Sequence, residues 1–172
     1  MTTTTIDQAP KQRVPITAVT GFDRLLAVVA GALLLATLVA IFRGQADWAR
    51  VPPWVWGHLL TIIVALALTP AMLLRRRGDR MHRQLGWMWV GAMVLTALAT
   101  FNIQTINQGS FSVIHILSVW TLIQVPRIVL NARAHRVEKH RSAVRGMVTG
   151  ALLIAGFFTF PFGRMLGSWL FG

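Results

Sequence analysis

The chain alternates between long runs without a charged residue and short clusters of arginine. The charge-free runs are 25–42, 51–74, 84–126 and 146–163. A helix needs about 20 apolar residues to cross roughly 30 Å of hydrocarbon. Three of the runs fit one crossing each, and 84–126 is long enough for two. It breaks at N-I-Q-T-I-N-Q-G-S, 102–110, where amides and a glycine interrupt the apolar pattern. The pattern therefore predicts five helices, near 24–43, 54–75, 84–104, 111–131 and 144–162. Backbone groups in lipid must be satisfied within the segment, which favours helices. The alternating short segments of a β-barrel are not visible. The expected fold is all-α: a polytopic membrane protein with five transmembrane helices. One membrane domain, 21–172, follows a polar cytoplasmic tail, 1–20. That tail lacks the charged start and short apolar core of a cleaved signal peptide.

Composition sharpens this reading. Of 172 residues, 55% are hydrophobic and 13% are charged, against about 25% charged in soluble domains. The net charge of +12 raises the question of nucleic acid. The basic residues sit in clusters between apolar blocks, however, and no basic face interleaved with exposed aromatics appears. Of the 17 Lys and Arg residues, all but Arg43, Arg50 and Arg164 fall on one side of the five spans. The positive-inside rule then puts the amino terminus in the cytoplasm and the carboxyl terminus outside, in a cell membrane. Trp54, Trp56 and Trp169 are expected at the outer interface and Trp87 and Trp89 at the inner one. Cysteine is absent, which removes disulfides, thiolate metal sites and cysteine nucleophiles.

The histidines carry the candidate chemistry. R-M-H-R-Q-L-G at 80–86 and E-K-H-R-S-A-V-R-G at 138–146 put His82 and His140, each followed by an arginine, where two apolar runs begin. His58 and His115 lie within apolar runs, near the outer ends of helices two and four. The spacings repeat: 24 residues from His58 to His82 and 25 from His115 to His140. Helices two and three thus read as one hairpin and helices four and five as a second copy. The expectation is a repeated-hairpin four-helix bundle with helix one as a peripheral addition. Pro70 and Pro126 fall at matching points of the two copies and predict kinks. Such a bundle would bring His58 to His115 and His82 to His140, one pair near each membrane face. Paired imidazoles on facing helices can hold haem iron, another metal ion or a quinone.

These four histidines, in this order, with F-S-V-I-H-I-L-S-V-W and E-K-H-R-S-A-V-R-G-M-V-T-G, resemble the transmembrane di-haem b-type cytochromes of the ascorbate and ferric reductase family. The resemblance implies a four-helix core with one His per helix. It implies one haem b shared by His58 and His115 and another shared by His82 and His140. It further implies a redox partner. Arg83 and Arg141, beside two of the ligands, could pair with haem propionates or lipid phosphate. Over about 54–172, H-R-Q-L-G, H-R-S-A-V-R-G and F-P-F-G-R-M-L-G also resemble a bacterial family of small predicted membrane proteins of unknown function. That likeness implies no activity.

Plainer readings stand beside these. His58 can be an interfacial side chain next to Trp54 and Trp56. Ser112 and Ser118 share a helical face with His115 and can form only a polar seam. His82, His135 and His140 can simply enlarge basic loops. Thr96, Thr100, Gln104 and Asn107 share one face of helix three, as a polar path or as inter-helix hydrogen bonds. Gly146 and Gly150 form a G-x-x-x-G step suited to close helix contact. The five Asp and Glu residues all lie outside the expected spans, against a proton-coupled carboxylate transporter. Hydrolytic nucleophile motifs, phosphate loops and H-E-x-x-H are missing. The functional alternatives are a small b-type electron-transfer protein, a cofactor-free assembly or interaction protein with structural histidines, and a metal or quinone carrier at one His pair.

Overall fold

The computed structural model describes residues 18–102 and 113–172. Gln104, Asn107 and Ser112, named above, lie outside the described residues. Within them the chain is helical, with no strand. α1 spans Gly21–Arg43 and leads through a 3-10 helix, Gln45–Arg50, into α2, Pro53–Leu74. α3 spans Arg80–Thr100, α4 Val113–Arg133 and α5 Val137–Met147. From α5 the helix runs on through a π-helical segment, Val148–Ile154, and one last turn, α6, Ala155–Phe157. A short α7, Met165–Phe171, ends the chain.

Local chemistry explains the starts and turns. Thr20 and Asp23 close a capping box at the start of α1, in which each satisfies a backbone N–H left open by the helix. Asp79 caps α3 by accepting the His82 N–H at 2.6 Å. α2 starts with Pro53 in its first turn, where a missing N–H costs nothing. α4 ends in a left-handed residue, His135, φ 54°. The Arg136 N–H reaches the Asn131 carbonyl and the His135 N–H reaches that of Ala132, a Schellman closure that sends α5 back along α4.

Packing follows chain order: α1 against α2, α2 against α3, α3 against α4 and α4 against α5. The core gathers Leu66, Trp89, Met93, Met147, Val148 and Leu152, all nearly inaccessible. α1 is not a peripheral addition, as the repeat had suggested. Its buried face is built from Ala27, Ala30, Thr37 and Ala40, small residues that let it lie close on its neighbours, as in membrane bundles. α7 folds back on α1: the Arg43 guanidinium donates to the Leu170 carbonyl at 2.7 Å. Gly167 sits on the Phe160 carbonyl and Gly44 on the Trp169 indole, leaving no room for a Cβ at either.

Trp89 departs from expectation. It is not an interfacial aromatic but a core residue, 1% exposed. Its Nε1–H donates to the Thr69 hydroxyl at 3.0 Å, and Thr69 donates to the Ala65 carbonyl at 2.7 Å. A partner for the indole N–H is what lets the ring go inside. At the opposite end of the bundle Trp56 stacks on Trp169 at 6.5 Å and meets Trp48 edge-on at 5.4 Å.

α1 and α2 are long and apolar enough to cross a membrane. α4 buries polar residues and exposes apolar ones along part of its length, although Val125 and Ile128 are also buried. His115, Ser118 and Thr121 are buried, whereas Ile116, Val119, Ile123 and Leu130 are exposed. α3 buries Thr96 and Thr100 beside the apolar Trp89, Ala92, Met93 and Ala97, and exposes Met88, Leu95 and Leu98.

Candidate functional site

The arginine-rich end of the bundle holds its densest polar cluster. Asp23, in the first turn of α1, has a fully buried side chain. It accepts the Arg77 Nη2 at 2.6 Å, the Arg141 Nη2 at 2.9 Å and the Arg145 Nε at 2.8 Å. These arginines come from the α2–α3 turn and from two successive turns of α5. Arg77 and Arg141 also donate to the Ala18 carbonyl at 2.7 and 3.2 Å, and Arg145 donates to the Thr20 hydroxyl at 2.6 Å. Charge-assisted bonds of this kind are shorter and stronger than neutral ones. One carboxylate thus fastens three elements and the entry to α1. The sequence signal was present: T-G-F-D is a capping-box spacing, and Asp23 abuts an apolar run among basic residues. Asp23, Arg77 and Arg145 are nevertheless absent from the candidates that histidine spacing selects.

His82 and His140 belong to the same end. α5 begins at Val137, so His140 is a helical residue and not part of a loop. Its Nδ1 lies 3.0 Å from the Ile128 carbonyl of α4. A carbonyl only accepts, so Nδ1 carries a proton and faces the carbonyl, which turns Nε2 away from it. His82 is close enough to His140 for a charge on one to disfavour a charge on the other. Burial and that neighbour hold the His82 imidazole below its ordinary pKa, with Arg77 and Arg75 adding to the effect and Asp79 opposing it. Its Nδ1 is buried and has no hydrogen-bond partner among the described residues.

His58 meets α3. Its Nδ1 lies 3.2 Å from the Thr96 carbonyl and 3.4 Å from the Thr100 hydroxyl. Thr100 gives its own proton to the Thr96 carbonyl at 2.9 Å, so both contacts accept from His58 Nδ1–H. Thr96 in turn donates to the Thr61 hydroxyl at 2.7 Å. This α2–α3 polar seam is the observed use of the threonine face of helix three. His115 is buried on α4 and lies against Phe101, ring centroids 5.8 Å apart. α2 and α4 are not among the principal packed pairs, and His58 turns to α3.

The two flanking arginines diverge. Arg141 joins Asp23, whereas Arg83 donates to the Gly78 carbonyl at 2.9 Å in an exposed turn. Among the described residues no three His, Cys, Asp or Glu side chains gather as a metal site.

Comparison with protein families, with curated proteins and with solved structures finds no match to this chain.

Proposed function

We propose that the chain is a five-span membrane protein that acts as a small b-type cytochrome, with its amino terminus and arginine-rich end in the cytoplasm. Membrane residence is supported by the apolar length of α1 and α2 and by the exposed apolar residues of α3 and α4, since exposed apolar surface of this extent is stable only against lipid or a partner.

The observation that carries the haem reading is the seating of two imidazoles. His58 and His140 both give Nδ1–H to main-chain carbonyls. That arrangement fixes the ring and leaves Nε2 as the ligand atom, as in metal-bound histidines generally. Haem b would supply one-electron transfer. The chain's own part is to orient Nε2 of His140, with His82 near it at the arginine-rich end, and Nε2 of His58, whose ring is seated on α3 and not on the helix that carries His115. Thr96, Thr100 and the Ile128 carbonyl hold those rings in place.

A second reading has its own support. The His58 contacts already join α2 to α3, so a cofactor-free assembly or interaction protein would use the same histidines as fasteners. A reduced-minus-oxidised spectrum of detergent-purified protein separates the two. The cytochrome reading expects a b-type signal that His140→Ala diminishes and His135→Ala leaves intact. Colourless protein from haem-replete cells, without bound iron, leaves the fastener reading. Reporter fusions after Gly172 and within 75–83 test the topology: opposite sides are expected, and one shared side ends the five-span arrangement.

A further inference from the structure

α5 and its continuation run beside α1 in the same direction. Arg145 meets Asp23 in the first turn of α1. Gly156, 11 residues further on, meets Leu33, 10 residues further on: a Cβ at Gly156 would fall 2.7 Å from the Leu33 side chain. The helix ends at Phe157, the last residue of α6, level with the middle of α1. Phe160 is then buried in one cluster with Ala40 of α1 and Leu59 of α2, near the ends of both helices that lie away from the Asp23 cluster. After one more turn of chain, α7 is fastened to the last residue of α1 by the bond from Arg43 to the Leu170 carbonyl. Residues 158–164, which form no helix, therefore climb the half of α1 between Leu33 and Arg43, about 15 Å at about 1.5 Å per residue.

This climb carries exposed rings on a strained turn. Phe158 stacks on Phe162 with centroids 6.3 Å apart, and Phe157 meets Phe158 edge-on at 5.7 Å. All three are exposed, Phe162 at 79%. Phe162 has φ 65° and Gly163 φ 66°, so a bulky residue stands in a left-handed position that glycine would take without strain. Pro161 has no N–H, and the N–H groups of Phe162, Gly163 and Arg164 have no main-chain partner among the described residues. Hydrocarbon cannot serve such groups, whereas water or lipid headgroups can. The rings call for an apolar medium and the turn beside them for a hydrogen-bonding one. A membrane boundary supplies both.

We propose that residues 157–164 are an interfacial lipid anchor. Phe157, Phe158 and Phe162 enter the acyl chains of the leaflet opposite the arginine-rich end, and the Phe162–Gly163 turn and Arg164 stay at its headgroups. The proposal rests on membrane residence but not on haem. The depth set by α1 agrees with it. α1 has 23 residues, just enough for about 30 Å of hydrocarbon, so its last turn, at Arg43, marks the boundary. Phe158 lies below that level, beside the middle of α1, and the turn after Phe160 lies close to it. Burial of the rings among acyl chains offsets the strain at Phe162.

The chain has no cysteine, so one introduced thiol carries a nitroxide label at a chosen position. Full-length Phe162→Cys, Phe158→Cys, Leu35→Cys and Ala46→Cys are labelled and reconstituted into vesicles of phosphatidylcholine and phosphatidylglycerol. Electron paramagnetic resonance then reads collisions with oxygen, which concentrates in hydrocarbon, and with a water-soluble nickel chelate. Leu35, 63% exposed in the middle of α1, is the hydrocarbon reference, and Ala46, exposed in the 3-10 helix, is the aqueous one. The label at Phe162 should keep the oxygen collisions seen at Leu35 and lose the nickel collisions seen at Ala46. Nickel access at Phe162 equal to that at Ala46 would overturn the proposal. Poor access to both reagents would overturn it as well, because a second copy or another protein would then cover the rings. If Phe162→Cys does not fold, the label at Phe158 decides by the same outcomes. Nickel access at Leu35 itself would end the membrane reading and the anchor with it. A hydrocarbon signal at Leu35 beside an aqueous one at Phe162 would end the anchor alone.

Discussion

Asp23 and Arg145 stand 122 residues apart in the chain and 2.8 Å apart in space. The carboxylate is fully buried, and its three guanidinium partners are between 11% and 24% exposed. Removing one member of a buried ion cluster leaves uncompensated charge, which typically costs about 3–5 kcal/mol. Asp23→Asn keeps the shape but leaves three guanidinium groups facing one another. It should lower the thermal midpoint strongly in detergent. Arg145→Gln should do less, because Arg77 and Arg141 still neutralise the carboxylate. Equal midpoints for Asp23→Asn and the parent protein would show that the cluster contributes nothing to stability.

Trp89 and Thr69 make a second relationship that hydropathy could not reveal. The indole N–H has the Thr69 hydroxyl as its acceptor, in a site closed to water. Thr69→Val keeps the volume and strands that N–H, for about 1–3 kcal/mol of lost stability. With Trp89→Phe already in place no donor remains to strand, so adding Thr69→Val should cost less. A double-mutant cycle measured by thermal unfolding should therefore be non-additive. Strict additivity would mean that the hydrogen bond carries no coupling.

Hydropathy made α1 and α2 legible to within a few residues, because element length is a local property. The start of α5 was missed by seven residues. Its first turns are charged, and a span search stops at charge, whereas a helix does not. Asp23 escaped for a different reason. The capping-box spacing was visible, but the partners lie 54, 118 and 122 residues away, and only the folded chain gathers them. Histidine spacing put His82 and His140 at one end of the bundle and paired His58 with His115. It could not reveal that His58 would face α3, since that depends on helix rotation, which apolar runs leave undetermined.

The arginine-rich end should respond to pH. His82 titrates below its ordinary value of 6.5 because burial, and then the charge of His140, disfavour the imidazolium. The unfolded chain therefore takes up a proton before the folded one does. Stability contributed by neutral His82 is fully present above about pH 6.5 and falls as pH drops below it, levelling off beneath the folded pKa. Asp79 adds a lower step. The His82 backbone N–H, foremost, and the nearby Arg75 hold its carboxylate below 3.8, so its cap is lost as pH falls beneath that value. The thermal midpoint should thus decline from pH 7 towards 5 in the parent protein. His82→Gln should flatten that decline. An unchanged slope in His82→Gln would assign the effect to another group.

His135 offers a prediction of the opposite sign. It occupies the left-handed position of the Schellman closure between α4 and α5, with φ 54°. An L-residue with a Cβ is disfavoured there by roughly 1–2 kcal/mol, and glycine is not. Glycine also loses more freedom on folding, which offsets part of the gain. The His135 side chain is exposed, so its removal sacrifices little packing. His135→Gly should therefore raise stability by up to about 1 kcal/mol. His135→Val should lower it, because a β-branched residue resists positive φ most strongly. Both are read as thermal midpoints in detergent. If Gly and Val shift the midpoint in the same direction, the turn is not held by left-handed backbone at this residue, and the reversal of α5 along α4 has another cause.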